Sequence, residues 1–262
     1  MTDAELIAEA AVEAGELALS ARRRGLTVEW KANHSPVSDA DLALDALLTE
    51  RLRAARPDYG WLSEETADDP ARLQRRKVFV VDPIDGTRAY VKDQPWFAVC
   101  IAVVEDGVVT HGVVHAPALK ETFTAERGGG AALNGEAITA SATLQLEGAA
   151  MLAYPGLFTH KAWKRAWPKM RVESRNSIAY RMCLVADGRF DAAVALNIKY
   201  DWDVAASSLI AEEAGAWVGD HKGQGYRFNR AEAFQPSLVC CTPGLAPLIL
   251  ERTAGIELPR AA

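Results

Sequence analysis

Between Val78 and Tyr90 the chain reads VFVVDPIDGTRAY, an apolar run that ends in two aspartates, a glycine and a threonine. Two carboxylates on so short a turn, Asp82 and Asp85, repel each other, and the repulsion matters most where water is excluded. A hard cation relieves it, because magnesium takes oxygen ligands and keeps positions open for water and phosphate. A solvated Asx-turn fits the same segment. Pro83 stops the strand and biases Asp82 to extended geometry, and Gly86 permits a tight turn or the close approach of a ligand. Three other acidic stretches have the same double reading. Glu64 and Glu65 in WLSEETADD suit a solvated loop. Ser38 and Asp41 in SPVSDADLALD suit a capping pair at a helix start. Asp203 in YDWDVAASSLIAEEAG stands where an N-cap belongs, with Gly215 as the helix stop. Local structure accounts for each stretch singly but not for four acidic sites in this order.

Two familiar loops come close and fail. A calcium loop wants acidic or amide residues at its first, third and fifth positions, where this chain has Ile84 and Gly86 at the third and fifth. Phosphatases that pass through an aspartyl-phosphate use D-x-D-G-T after a strand, and this chain has D-x-x-D-G-T. The extra residue breaks the register that sets nucleophile and acid/base on one side, which disfavours a covalent mechanism but not phosphate-ester hydrolysis.

The elements that must position these residues follow from periodicity. Asp3 to Arg24 repeats small and apolar residues at Leu6, Ala10, Ala14, Leu17 and Ala18, as an amphipathic helix does, and Arg22, Arg23 and Arg24 suit its C-terminus. A second helix starts near Ser38 and stops before Pro57. Strands are predicted at Val78–Val81, Phe97–Val104, Val108–His115 and Glu121–Ala125, with an Asp-Gly hairpin turn in VEDGVV and a turn at Gly128–Gly130. The order then becomes alternating. Strands are predicted near 149–154, 171, 190–196 and 237–241, and helices at His160–Trp167, Ile178–Ala186 and Val204–Ala214.

The totals bound the rest. The 262 residues are 49% apolar and 24% charged, enough for a substantial core in one large domain or two packed lobes. A net charge of −6 and the lack of a long basic run disfavour binding to a nucleic-acid polymer. Cys100, Cys183, Cys240 and Cys241 show neither CxxC nor zinc-ligand spacing and suit a reducing cytoplasm. The N-terminus does not read as a signal peptide, and no run approaches the roughly 18 apolar residues of a spanning helix.

Taken in order, S-P-V-S-x-A-D, S-E-E, V-D-P-I-D-G-T and W-D-V-A-A…E-A-G resemble the inositol monophosphatase superfamily over nearly the whole chain. The resemblance implies a five-layer αβαβα sandwich like that of fructose-1,6-bisphosphatase, in the α/β class. Residues 1–145 would form an N-terminal α+β half with most metal ligands, and 146–262 a C-terminal α/β half with Asp203 and the substrate pocket. It also implies a magnesium-dependent, often lithium-sensitive phosphatase with about two to three ions per site. Glu64, Asp82 and the Ile84 carbonyl would hold one ion. Asp82, Asp85 and Asp203 would hold a second, with Asp82 bridging, and a third would sit near Glu64 through water. Asp41 and Thr87, with Glu64, would orient and deprotonate the attacking water, and the amides of Gly86 and Thr87 would hydrogen-bond the phosphate. Homodimers are common in that superfamily, and nothing in this sequence selects a surface.

The inositol enzymes carry Asn after D-G-T and a Glu that bonds ring hydroxyls, where this chain has Arg88 and Leu196. Leucine accepts no hydrogen bond, and Arg88 suits a second anionic group. SPVSDAD, DPIDGTRAYVK, GVVHAPAL and RGGGAALNG are most similar to bacterial 3'(2'),5'-bisphosphate nucleotidases, which take the 3'-phosphate from adenosine 3',5'-bisphosphate, a by-product of sulfate activation. On that resemblance Arg88, Arg181 and Lys199 would face the 5'-phosphate, and NSIAYR, with Ser177, would help form the nucleoside pocket. A snorkelling role fits Arg181 equally, a solvent-facing one fits Lys199, and Lys31 reaches either the rim of the site or the surface. A histidinol-phosphate phosphatase of the same superfamily is the first alternative, with Asp201 as the spare acid for a cationic substrate. A binding protein without turnover is the second.

Overall fold

The computed structural model describes residues 1–31, 36–161 and 163–258. Ser35, the first residue of the SPVSDAD stretch, and Ala162, inside the predicted helix His160–Trp167, lie outside the described residues. Helix α1 (Asp3–Arg24) leads to the antiparallel pair β1 (Val28–Trp30) and β2 (Pro36–Ser38), then to α2 (Asp39–Ala55). β3 (Gly60–Ser63), β4 (Lys77–Asp85), the single turn α3 (Thr87–Tyr90), β5 (Ala98–Glu105), β6 (Val108–Ala116), β7 (Glu121–Glu126), β8 (Gly130–Leu133) and β9 (Glu136–Ala137) follow. The rest of the chain builds β10 (Ala150–Leu152), β11 (Arg171–Glu173), α4 (Ile178–Ala186), β12 (Ala192–Ala195), β13 (Lys199–Tyr200), α5 (Asp201–Glu213), β14 (Trp217–Gly219), β15 (Phe234–Gln235), β16 (Leu238–Cys241) and α6 (Ala246–Thr253).

β3 to β9 form a seven-stranded sheet in sequence order, antiparallel except for the parallel pair β3–β4. A second, five-stranded sheet runs β11-β10-β12-β16-β14 and is mixed. Strand periodicity divides each sheet between two cores. In the seven-stranded sheet Phe79, Val81, Val99, Ile101 and Val103 point toward α1 and α2, packing on Ile7, Ala14, Leu44 and Leu48. The alternate residues Val78, Val80, Cys100, Ala102 and Val104 share a core with α4 and α5 and with Leu152, Ala193 and Cys240 of the five-stranded sheet. The remaining face of that second sheet, with Met151, Val194, Val239 and Cys241, packs on Leu245 and Ile249 at α6. Helices, sheet, helices, sheet, helix: this is the expected five-layer sandwich.

The first helices form where their caps and apolar faces require. Thr2 and Glu5 make a reciprocal capping box on α1, and its last turn carries Arg22, Arg23 and Arg24. At α2 the Asp41 carboxylate accepts from the Ser38 amide at 2.8 Å.

Two expectations need correction. Among the described residues between His160 and Trp167 none is helical. A 3-10 turn at Pro155–Leu157 is followed by a chain wound around its own aromatics, with the Trp163 indole N–H donating to the Leu157 carbonyl and ring centroids of Trp163 and Trp167 5.1 Å apart. That tertiary packing of the tryptophans overrides the local helical pattern. Asp203 is not the N-cap of its helix. α5 begins at Asp201, so Asp203 lies in its first turn and accepts from the Tyr200 amide at 2.9 Å, reaching back to the cap residue.

Candidate active site

The site begins with a fault in β4. Asp82 pairs with Cys100 and Asp85 with Ala98, so three steps along β4 match two along β5. In a regular strand residues three apart face opposite ways; one extra residue brings them back to the same face. Asp82 and Asp85 therefore both point between the layers, while Ile84 turns into the core beneath α1 and α2. Pro83 fits here because a bulge tolerates a missing N–H. The additional residue of D-x-x-D is what makes the two aspartates neighbours.

Gly86 closes the turn in the left-handed region, at φ 95° and ψ 32°. A side chain there would also collide, since a Cβ would stand 2.8 Å from the Trp96 carbonyl oxygen and 3.0 Å from the Ser177 amide. Asp85 is held from the other side of that contact. Its carboxylate accepts from Ser177 Oγ at 2.7 Å, Ile178 N at 3.2 Å and Ala179 N at 2.7 Å, capping the N-terminus of α4.

Asp203, from the first turn of α5, completes an acidic group. Asp82, Asp85 and Asp203 each offer one oxygen within 4.8 Å of the other two. Burial and then mutual repulsion push the Asp82 carboxyl well above the usual range, and the same causes raise Asp203 to about 8. Burial also raises Asp85, against the donors of α4. Asp82 Oδ1 accepts from the Ile84 amide at 3.0 Å, but its Oδ2 is buried with no hydrogen-bond partner among the described residues. An orphaned carboxylate oxygen beside two more carboxylates, with oxygen donors throughout, fits a hard divalent cation.

Glu64 stands in the same cleft, outside that closest trio. Burial raises its pKa, with Lys31 opposing the shift. The Lys31 ammonium lies 3.0 Å from Glu64 Oε1 and 2.7 Å from Glu65 Oε1, so this residue reaches the acidic rim and does not point to bulk solvent. Behind it Asp45 accepts from Ser63 Oγ at 2.5 Å and Thr66 Oγ1 at 2.6 Å, bracing the loop that presents both glutamates. Sequence reasoning passed over Asp45 because a mid-helix aspartate has no local signature.

On the outer side of α3, Thr87 Oγ1 is 3.2 Å from Asp41 Oδ1 and 3.0 Å from the Ile84 carbonyl oxygen. Asp41 Oδ2 accepts from both Ser38 N and Ser38 Oγ, so one carboxylate caps α2 with one oxygen and meets Thr87 with the other. Burial raises the Asp41 pKa, opposed by the Ser38 and Thr87 hydrogen bonds.

Glu64, Asp82, Asp85, Thr87 and Asp203 line a cleft of about 590 Å³, with Asp41 buried behind Thr87. Arg88, Arg181 and Lys199 line it, together with Ser177, Tyr154, Leu157 and Leu196. Arg88 is exposed at the rim. The Arg181 Nε is buried with no hydrogen-bond partner among the described residues, and Asp85 provides the favourable charge beside it. Lys199 is half-buried in the wall; its Nζ donates to Asn197 Oδ1 at 3.1 Å and the Ile198 carbonyl at 3.0 Å, and burial lowers its pKa. Asp201 is not part of the cleft. It is fully buried, and accepts from Gln235 Nε2 at 2.9 Å and Asn229 N at 3.1 Å.

The chain is similar to known proteins over nearly its whole length. The profile of the Inositol monophosphatase family matches residues 2–255. A histidinol-phosphatase of Chlorobaculum parvum is 34% identical over 233 residues, 85% of this chain and 87% of that protein. The 3'(2'),5'-bisphosphate nucleotidase CysQ of Aggregatibacter actinomycetemcomitans is 31% identical over 243 residues, 87% of this chain and 88% of that protein. Among solved structures, the extragenic suppressor protein suhB of Bartonella henselae has a TM-score of 0.82 at 28% identity, over 96% of this chain and 98% of that one.

Proposed function

The chain belongs to the inositol monophosphatase family of phosphatases, and from that premise we propose that it removes the 3'-phosphate of adenosine 3',5'-bisphosphate in a magnesium-dependent hydrolysis. The observation that carries the reading is that the cleft holds three cations as well as the acidic group. Among the described residues lining it, the carboxylates are Glu64, Asp82, Asp85 and Asp203, all on the side of the acidic group. The same lining carries three cations, Arg181 beside Asp85, Lys199 near Asp203 and Arg88 exposed at the rim, and apolar surface from Tyr154, Leu157 and Leu196. Such a cleft suits an ester with a second anionic group and a nonpolar body.

In this reading Asp82, Asp85 and Asp203, with Glu64 and the Ile84 carbonyl, hold the magnesium ions. Bound there, magnesium neutralises phosphoryl oxygens and makes water a better nucleophile near neutral pH. The chain's own groups do the rest. Thr87 Oγ takes a proton from the attacking water as it passes its own to Asp41, which Ser38 holds in place, while the P–O3' bond breaks and the departing 3'-oxygen takes up a proton from solvent water. The amides of Gly86 and Thr87 at the start of α3 donate to the phosphoryl oxygen that gains charge. Arg88, Arg181 and Lys199 bind the distal phosphate. The four cysteines are free and buried, which suits a reducing, cytoplasmic setting.

The Chlorobaculum relative favours a second reading, histidinol phosphate as substrate. Its cationic tail would meet three cations and, among the described lining residues, no acid beyond the magnesium-binding group, since Asp201 is buried elsewhere. Phosphate release with magnesium from adenosine 3',5'-bisphosphate, histidinol phosphate and inositol 1-phosphate decides between them. The bisphosphate is expected to give the highest kcat/KM. A preference for either other ester would overturn the proposed substrate, and no release from any of them would overturn the activity.

A further inference from the structure

One aromatic ring in the cleft has no part in the phosphate chemistry. Tyr154 lines the cavity, yet it is 74% exposed. An aromatic face left open in a concave site is available to a ligand bound there. The backbone that presents the ring is held in a turn. Tyr154 caps the 3-10 turn Pro155–Leu157, with Pro155 fixing the next φ and the Leu157 amide donating to the Tyr154 carbonyl at 2.9 Å. A Cβ built on Gly156 would lie 2.5 Å from Tyr154 Cε1, 3.1 Å from Cζ and 3.2 Å from the hydroxyl oxygen, and these are its three nearest neighbours. Gly156 does not have a positive φ, so its backbone accepts other residues; the tyrosine ring is what needs the glycine. The ring rests on bare backbone and leaves most of its surface open.

We propose that Tyr154 is the platform on which the planar base of a nucleoside bisphosphate stacks, with Gly156 as its seat. The inference rests on the nucleotidase reading and deepens it. The cations of the cleft recognise charge, which sugar and inositol bisphosphates also carry. An aromatic face recognises what those esters lack. Stacking tolerates any base because every base has a π face, so the platform selects nucleotides as a class over base-free phosphates. Leu157 and Leu196, on the same cavity wall, add apolar surface around it.

The test compares kcat/KM for adenosine 3',5'-bisphosphate with that for methyl riboside 3,5-bisphosphate, which keeps both phosphates and has no base. In Tyr154→Ala the ratio of the two is expected to fall about 10-fold, through KM for the base-bearing ester. Tyr154→Phe is expected to keep the wild-type ratio. Gly156→Ala leaves Tyr154 in the sequence but pushes its ring off the seat, and it is expected to lower the ratio in the same direction. A wild-type enzyme that prefers the nucleoside bisphosphate, with an unaltered ratio in both Tyr154→Ala and Gly156→Ala, would overturn the platform alone. A wild-type enzyme that prefers inositol 1-phosphate or histidinol phosphate would overturn the substrate reading and the platform with it.

Discussion

Thr87 has one hydroxyl proton and two acceptors in reach, Asp41 Oδ1 and the Ile84 carbonyl. When it donates to Asp41, a lone pair is left to take a proton from the cleft side, which is what a general base needs. Thr87→Val keeps the shape and removes the relay. Its kcat is expected to fall by about 10²–10⁴ with little change in KM, and Thr87→Ser should retain most turnover. The measurement is steady-state kinetics at saturating magnesium, with circular dichroism confirming the fold; undiminished kcat in a folded valine variant would remove Thr87 from the mechanism. At this scale the sequence was ambiguous for a physical reason. Asp41 reads as a helix cap and as a site residue, and its carboxylate has two oxygens, one for each. Lys31 was equally balanced between rim and surface, because a long flexible stem lets its charge go either way.

At the scale of elements the longer strands, such as β4 to β7, and helices α1, α2, α4 and α5 were legible from their periods, because each buries a face, whereas short strands such as β1, β3 and β14 and the C-terminal α6 were not predicted. The bulge of β4 was not. D-x-x-D looked like a broken version of a D-x-D loop, and only pairing with β5 shows that the extra residue restores a common face. The segment from His160 to Trp167 failed in the other direction, its aromatics finding one another across a non-helical path. β6 also carries a buried titratable group. His115 lies in the sheet with Nδ1 2.8 Å from Thr122 Oγ1, and burial lowers its pKa to about 4. The folded protein thus prefers the neutral ring. This contributes no pH dependence above the unfolded pKa near 6.5, and stability is lost as pH falls from there toward 4. His115→Gln should remove roughly 2–3 kcal/mol of that acid-side loss. Thermal midpoints of wild type and variant between pH 7 and 4.5 check it, and parallel curves would contradict the assignment.

Across the whole molecule, the acidic group is a cost to the fold that a bound cation would offset. Asp82, Asp85 and Asp203 come from a strand bulge and the start of α5 and repel one another under burial. Asp82→Asn is therefore expected to raise the melting temperature of the protein in a chelator. Magnesium should stabilise the wild type by about 2.7 kcal/mol at a hundred times its Kd, and much less in the variant. Thermal shift with and without magnesium reads both effects, and an equal magnesium shift in the two proteins would remove Asp82 from the ion's ligands. The loop that presents Glu64 and the segment next to α5 are tied by the buried Arg72, which donates to Asp68, to Asn229 Oδ1 and to the Arg230 carbonyl. Asn229 in turn holds Asp201 at the start of α5. No spacing rule couples residues so far apart in the chain. The sequence by itself determined the residue types, the order of the acidic stretches and the faces of the elements, since these depend on local preference and on a period of burial. Tertiary structure alone decided which oxygens meet, that Asp82 keeps one of them unpartnered, that Asp201 is spent on Asn229 and Gln235, and that Tyr154 lies open against Gly156, because each depends on contacts between segments whose separation along the chain bears no relation to their distance in space.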